Sequence, residues 1–228
     1  MYKKKISFIA VILFSIFSLS AQKTEIRNFG DFHSVYFFGN INVEMIKSDS
    51  NYAELSVGPE LELGSITTEL KNGQLYIRNT GIGDEKVLNL KFYYKNIDEL
   101  IAKAGVELTS ANTFKINIFN IRFSKGAIAT IKVQCNELKA VVIQGSDLNI
   151  SGSVGKVNIS TNTGAVVHGY NLKAKDSWLR SVTGGKIEVS LSGEMEASAN
   201  TGGMVYFKGN PKVVSQKVIT GGIVEKKK

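Results

Sequence analysis

A parallel β-helix, or β-solenoid, with about 19–20 residues per coil and an N-terminal capping region is the all-β fold this chain predicts. Three observations carry it. First, Gly105, Gly126, Gly145, Gly164, Gly184, Gly202 and Gly221 recur at gaps of 21, 19, 19, 20, 18 and 19 residues, and a fixed period near 20 marks a solenoid. Second, short runs such as 147–151 and 185–191 alternate apolar and polar residues, the period of a strand with one buried side. Third, like residues recur at fixed offsets from the glycines. The third position holds Leu108, Leu148, Val167, Ile187, Val205 and Val224, and the fifth holds Ile131, Ile150, Val189 and Phe207. Stacked coils need such columns, because each coil lies about 4.8 Å above the last and buries the same positions. The Gly126 repeat reads as slipped by one, with Ile128 ahead of Ala129, and Gly169 interrupts the second column.

Taken in order, the chain opens with Lys3–Lys5, an apolar run from Ile6 to Leu19, and Ser20-Ala21. That is the layout of a secretory signal peptide over 1–21, and the run is shorter than the roughly 20 residues of a membrane span. Residues 22–228 read as one β-solenoid domain: a cap with the first strands over 22–104, regular coils over 105–224 and a basic tail at 225–228. Residues 35–45 look like two strand pieces hinged at Gly39. Pro59–Leu63 suggests one helical turn, and Val87–Tyr94 another strand. Asn72-Gly73, between 66–70 and 75–78, is a tight hairpin signal. The repeated glycines supply the positive φ that sharp corners need. The last four follow Thr163, Thr183, Thr201 and Thr220, so the threonines should stack over one another.

The formal charge is +8, of which three lysines sit in the signal and three at Lys226–Lys228. The remaining body is too weakly basic for nucleic acid, which asks for a clustered basic face. Cys135 is the single cysteine; no internal disulfide can form, and its strand setting predicts a buried thiol.

Candidate chemistry is sparse. Glycoside hydrolysis uses two carboxyl groups facing one bond, yet the acids of the repeats, among them Glu107, Asp147, Glu188 and Glu225, do not fall at matching offsets on adjacent coils. His33 and His168 lack partners at metal-ligand spacing, and His168 reads as a plain outward histidine. No catalytic residue, cofactor or metal ligand is predicted. The remaining handle is aromatic: Trp178, Tyr170 and Tyr206 fall in successive C-terminal coils and could form an outward contact surface, with Phe207 inside.

The order of motifs resembles the head GIN domain family of bacterial adhesins. It is carried by Phe32-His33-Ser34-Val35 leading to Gly39-Asn40-Ile41-Asn42-Val43, by Lys71-Asn72-Gly73-Gln74-Leu75-Tyr76-Ile77, and by Gly202 to Pro211 after the repeated corners. The resemblance implies a right-handed β-helix, export to the periplasm, outer surface or beyond, and no established catalytic residues. The expected function is therefore non-catalytic presentation of a surface to a glycan, a lipid or an envelope protein. The alternatives are a carbohydrate-active enzyme or a structural component that assembles end to end.

Overall fold

The computed structural model describes residues 23–81, 83 and 86–228; the expected signal segment at 1–21 lies outside the described residues. The N-terminal part contains β1 (Lys23–Asn28), β2 (Ser34–Phe38), β3 (Ile41–Lys47), β4 (Tyr52–Val57), β5 (Ile66–Lys71), β6 (Gln74–Asn79), β7 (Leu88–Tyr94) and β8 (Glu99–Lys103). The regular coils follow as β9 (Glu107–Ser124), β10 (Ile128–Ile143), β11 (Asp147–Asn162), β12 (Val166–Val182), β13 (Lys186–Leu191), β14 (Glu194–Asn200), β15 (Met204–Gly209), β16 (Lys212–Ile219) and β17 (Ile223–Lys226). All belong to one continuous sheet, wound into a solenoid of about seven turns.

From β9 onward the register follows the glycine period. Glu107, Ile128, Asp147, Val166, Lys186, Met204 and Ile223 stand above one another in parallel pairing. Ile187, Val189, Val205, Leu148 and Val167 are fully buried in the predicted columns. The expected slip at the Gly126 repeat does not occur. Ala129 pairs with Leu108 and Leu148 and is buried, while Ile128 is 48% exposed; backbone register outranks the larger side chain's hydrophobicity. The 20-residue coil takes its extra length as a bulge between Gly169 and Lys173, so the corners stay aligned.

Those corners are tighter than glycine alone explains. Thr163, Thr183, Thr201 and Thr220 have φ of 47–51°, and the following glycines 68–72°. Gly185 N donates to Val182 O at 3.0 Å, and Gly203 N to Asn200 O at 2.9 Å, closing two-residue turns of type I′. A β-branched residue seldom adopts positive φ. Here hydrogen bonds between successive corners hold it there: Gly164 N to Thr183 O, Gly184 N to Thr201 O and Gly202 N to Thr220 O, each 3.1 Å. The second glycine has a different task. A Cβ at Gly203 would stand 2.2 Å from the Ser181 carbonyl oxygen, and one at Gly222 2.3 Å from that of Ala199.

The N-terminal part departs from sequential winding. Strand β2 lies between β6 and β8, and β3 between β7 and β9, so the first coil in sequence is internal in space. Gly39 (φ +96°) hinges β2 to β3 because a Cβ would meet the Asn79 carbonyl oxygen at 2.1 Å. Asn72 and Gly73, both left-handed, close the β5–β6 hairpin. The expected helical turn at 59–63 is instead a turn at 59–60 and a 3₁₀ turn at Leu63–Ser65; only a short crossing is needed to carry the chain from β4 to β5. Strand β4 runs antiparallel to β7, and β1 antiparallel to β4. On β1 the core-side positions are Glu25 and Arg27. Arg27 donates to Glu25 Oε1 at 2.8 Å and to the Ile66 carbonyl at 2.7 Å, reaching across the end of the apolar interior. At the other end, the outer edges of β16 and β17 have no strand partner among the described residues, and Val213, Val218 and Ile219 are exposed.

The two glycines of a corner should respond differently to a methyl group. A Cβ at Gly202 would meet only the Gly184 backbone nitrogen, at 3.9 Å, so Gly202→Ala should cost about 1–2 kcal/mol through φ alone. Gly203→Ala must also displace backbone and should cost clearly more. Urea denaturation of both variants measures this; equal losses would refute the division of roles.

Candidate binding faces

Each coil presents two outward faces, one before and one after its mid-coil bend. On the first face, β1, β4, β7, β3 and β9 lie side by side under a groove of about 670 Å³. Strand alternation sends Val43, Leu55 and Leu90 into the core and their neighbours outward. Ile26, Glu54, Lys91, Glu44 and Thr109 form one outward row, and Thr24, Ser56, Asn89, Asn42 and Glu107 the next. Asn42 Nδ2 donates to Asn89 Oδ1 at 3.1 Å. Beside Glu54, Tyr52 and Tyr93 stack in parallel with ring centroids 4.1 Å apart. Burial, then the Glu54 carboxylate, push the Tyr93 phenol up from its ordinary value. This groove escaped sequence reading because its strands order as β1, β4, β7, β3, β9, which no repeat announces.

The first outward row continues through Thr130, Asn149, His168, Glu188, Tyr206 and Glu225. His168 is outward but not plain. Its ring nitrogens lie 2.9 Å from Glu188 Oε2 and 3.3 Å from Asp147 Oδ2, bridging acids of the coils below and above. Sequence offsets missed this because Asp147 reaches His168 diagonally. Burial opposes ionisation of Glu188, but hydrogen bonds from Lys186 and His168 outweigh it and hold its carboxyl below the ordinary range. Such a carboxylate is a poor proton donor near neutral pH.

The three aromatic candidates divide. Tyr170 and Tyr206 are half-buried on the first face, with Lys208 over the Tyr170 ring at 4.8 Å and Lys227 over the Tyr206 ring at 4.4 Å. Trp178, 38% exposed, projects from the second face, in the row Asn158, Trp178, Glu196. No group of three or more His, Cys, Asp or Glu side chains suited to a metal ion occurs among the described residues.

Residues 31–211 match the family model described as "Putative auto-transporter adhesin, head GIN domain". The chain belongs to the head GIN domain family. Its fold is similar to that of a "putative adhesin" from Bacteroides fragilis at 14% identity and TM-score 0.77, covering 90% of this chain and 96% of that one. A "putative adhesin" from Parabacteroides merdae is 16% identical with TM-score 0.71, over 91% and 96% of the two chains. A "putative lipid binding protein" from Parabacteroides distasonis is 18% identical with TM-score 0.65, over 91% and 97%. No curated protein matches. No helix among the described residues of this head GIN chain is long and apolar enough to cross a membrane.

Two titrations follow from the geometry. Cys135 is buried, and desolvation pushes its thiol up to about 11. At pH 8 the native head GIN domain should react with Ellman's reagent on the order of a hundredfold slower than the urea-unfolded chain; equal rates would contradict that burial. Glu188 has its folded value below the ordinary 4.5, so its stabilisation is complete above that range and is lost as pH falls through the folded value. Glu188→Gln should therefore flatten the fall of unfolding free energy below about pH 4.5, measured by urea titration at several pH values.

Proposed function

We propose that this chain is an exported, non-catalytic adhesin whose first face holds a neutral glycan along the groove over β1, β4, β7, β3 and β9. One observation carries the reading: a groove of about 670 Å³ whose outward side chains are mostly carboxylates, carboxamides and hydroxyls, with Lys91 and the exposed Ile26 among them, beside a stacked tyrosine pair. Carboxylates and amides accept and donate to sugar hydroxyls, and a tyrosine ring offers an apolar face to a pyranose. Membership of an adhesin family supports a binding role, and a groove open to solvent suits an extended chain.

A catalytic role fits less well. Glu44 and Glu54 stand two strands apart, roughly 10 Å, with Lys91 between them. A cationic side chain thus projects from the strand over which a scissile bond would have to lie between two working carboxyls. Lipid binding, suggested by the name of one structural relative, would ask for an apolar groove floor; here Val43, Leu55 and Leu90 are turned into the core, and of the large apolar side chains lining the groove Ile26 alone is exposed. Tyr170 and Tyr206, further along the same face, are proposed as a second contact for a longer glycan, with Trp178 outside it.

A neutral glycan array followed by titration calorimetry tests this. Glu54→Gln and Glu44→Gln should each weaken binding about tenfold, the loss of a charge-assisted hydrogen bond. Tyr206→Ala should weaken only longer oligosaccharides, and Trp178→Ala should change nothing. Binding that survives both glutamate replacements would sink the groove as the site.

A further inference from the structure

The second face carries an arrangement of opposite charge, independent of the groove. Tyr36 and Tyr76 pair across β2 and β6 with ring centroids 5.3 Å apart, and Phe38 lies parallel to Tyr36 at 6.4 Å. All three project outward, since Val35, Phe37, Leu75 and Ile77 take the core positions. Two cations rest on these rings. The Arg78 guanidinium lies 4.6 Å from the Tyr76 centroid and 5.6 Å from that of Tyr36, and the Lys103 ammonium 5.3 Å from Tyr36. Arg78 also forms an ion pair with Glu69 at 3.7 Å.

The charge continues along the axis. Tyr36 is followed in register by Ile101, Arg122, Val141, Ser160, Arg180, Ser198 and Lys217. Among the described residues no carboxylate lies within 4.0 Å of Lys103, Arg122, Arg180 or Lys217. At about 4.8 Å per step, Arg122 and Arg180 are roughly 14 Å apart, and Arg180 and Lys217 roughly 10 Å. A straight line of uncompensated cations at multiples of one spacing suits a linear polymer bearing repeated anions.

We propose that this face binds an acidic polysaccharide, a polymer of hexuronic acids. Its carboxylates pair with Lys103, Arg78, Arg122 and Arg180, and one sugar ring packs on the exposed parts of the Tyr36 and Tyr76 rings. A bilayer surface fits less well: the rings are half-buried beneath their cations and do not protrude as membrane anchors do.

The test is binding of sodium polygalacturonate to the full mature chain, with phosphatidylglycerol vesicles and dextran as comparison probes. The wild type should bind polygalacturonate, with affinity falling about tenfold as salt rises from low to well above physiological levels. Lys103→Gln with Arg122→Gln should weaken it by about tenfold or more, while Lys132→Gln with Lys173→Gln, which removes the same net charge elsewhere, should not. Tyr36→Leu should weaken it about threefold, with circular dichroism confirming the fold. Failure to bind polygalacturonate, equal loss in the two lysine-bearing double variants, or tighter binding to the vesicles would each overturn the assignment. Loss on Glu54→Gln with Lys103→Gln/Arg122→Gln unaffected would move the polyanion to the groove and overturn it too.

Discussion

Coil-to-coil backbone pairing is the constraint on which the rest of the molecule depends, and the left-handed corner makes it uniform. A solenoid closes its core only if every coil returns to the same place. Stacked Thr-Gly turns achieve this by bonding to one another as well as across themselves. The unfavourable φ of the threonines persists because the neighbouring coils over-determine it. Once the corners are fixed, differences in coil length must appear elsewhere, and they do so as bulges in the middle of β9 and β12.

The two ends solve the open-edge problem differently. At the N-terminal end, reversed strands and an inward Glu25–Arg27 pair cover the apolar interior, a device that makes addition of a further strand costly. At β16 and β17 the parallel ladder has no further strand among the described residues, and Val213, Val214, Val218 and Ile219 are exposed. Lys212, Lys217 and Lys226–Lys228 surround this edge. Charges on an edge strand discourage pairing with another copy.

Between the ends, strand alternation turns one sequence into a sealed core and two chemically distinct faces. The first is rich in carboxylates and amides and carries the His168 bridge. The second carries cations on aromatic rings. Both faces come from the same coils, and beyond the antiparallel β1 and β4 a parallel register extends their rows along the axis. A side chain's usefulness therefore depends on its height on the axis as much as on its neighbours in sequence.

The chain's own order of residues determined a good deal. The glycine period, the aliphatic columns at Leu148, Val167, Ile187 and Val205, the Asn72-Gly73 hairpin and the Gly39 hinge are local or strictly repeated, so they are legible before any folding. What only the tertiary structure decided lies outside the repeat. Tyr36 meets Tyr76, and Lys91 comes to lie in register between Glu54 and Glu44, because the first coil is enclosed by strands that come later in the chain. Asp147 reaches His168 because side chains bridge diagonally between coils. Trp178 parts from Tyr170 and Tyr206 because the coil bends between them. Periodicity specifies which way a side chain points; only the assembled register specifies what it meets.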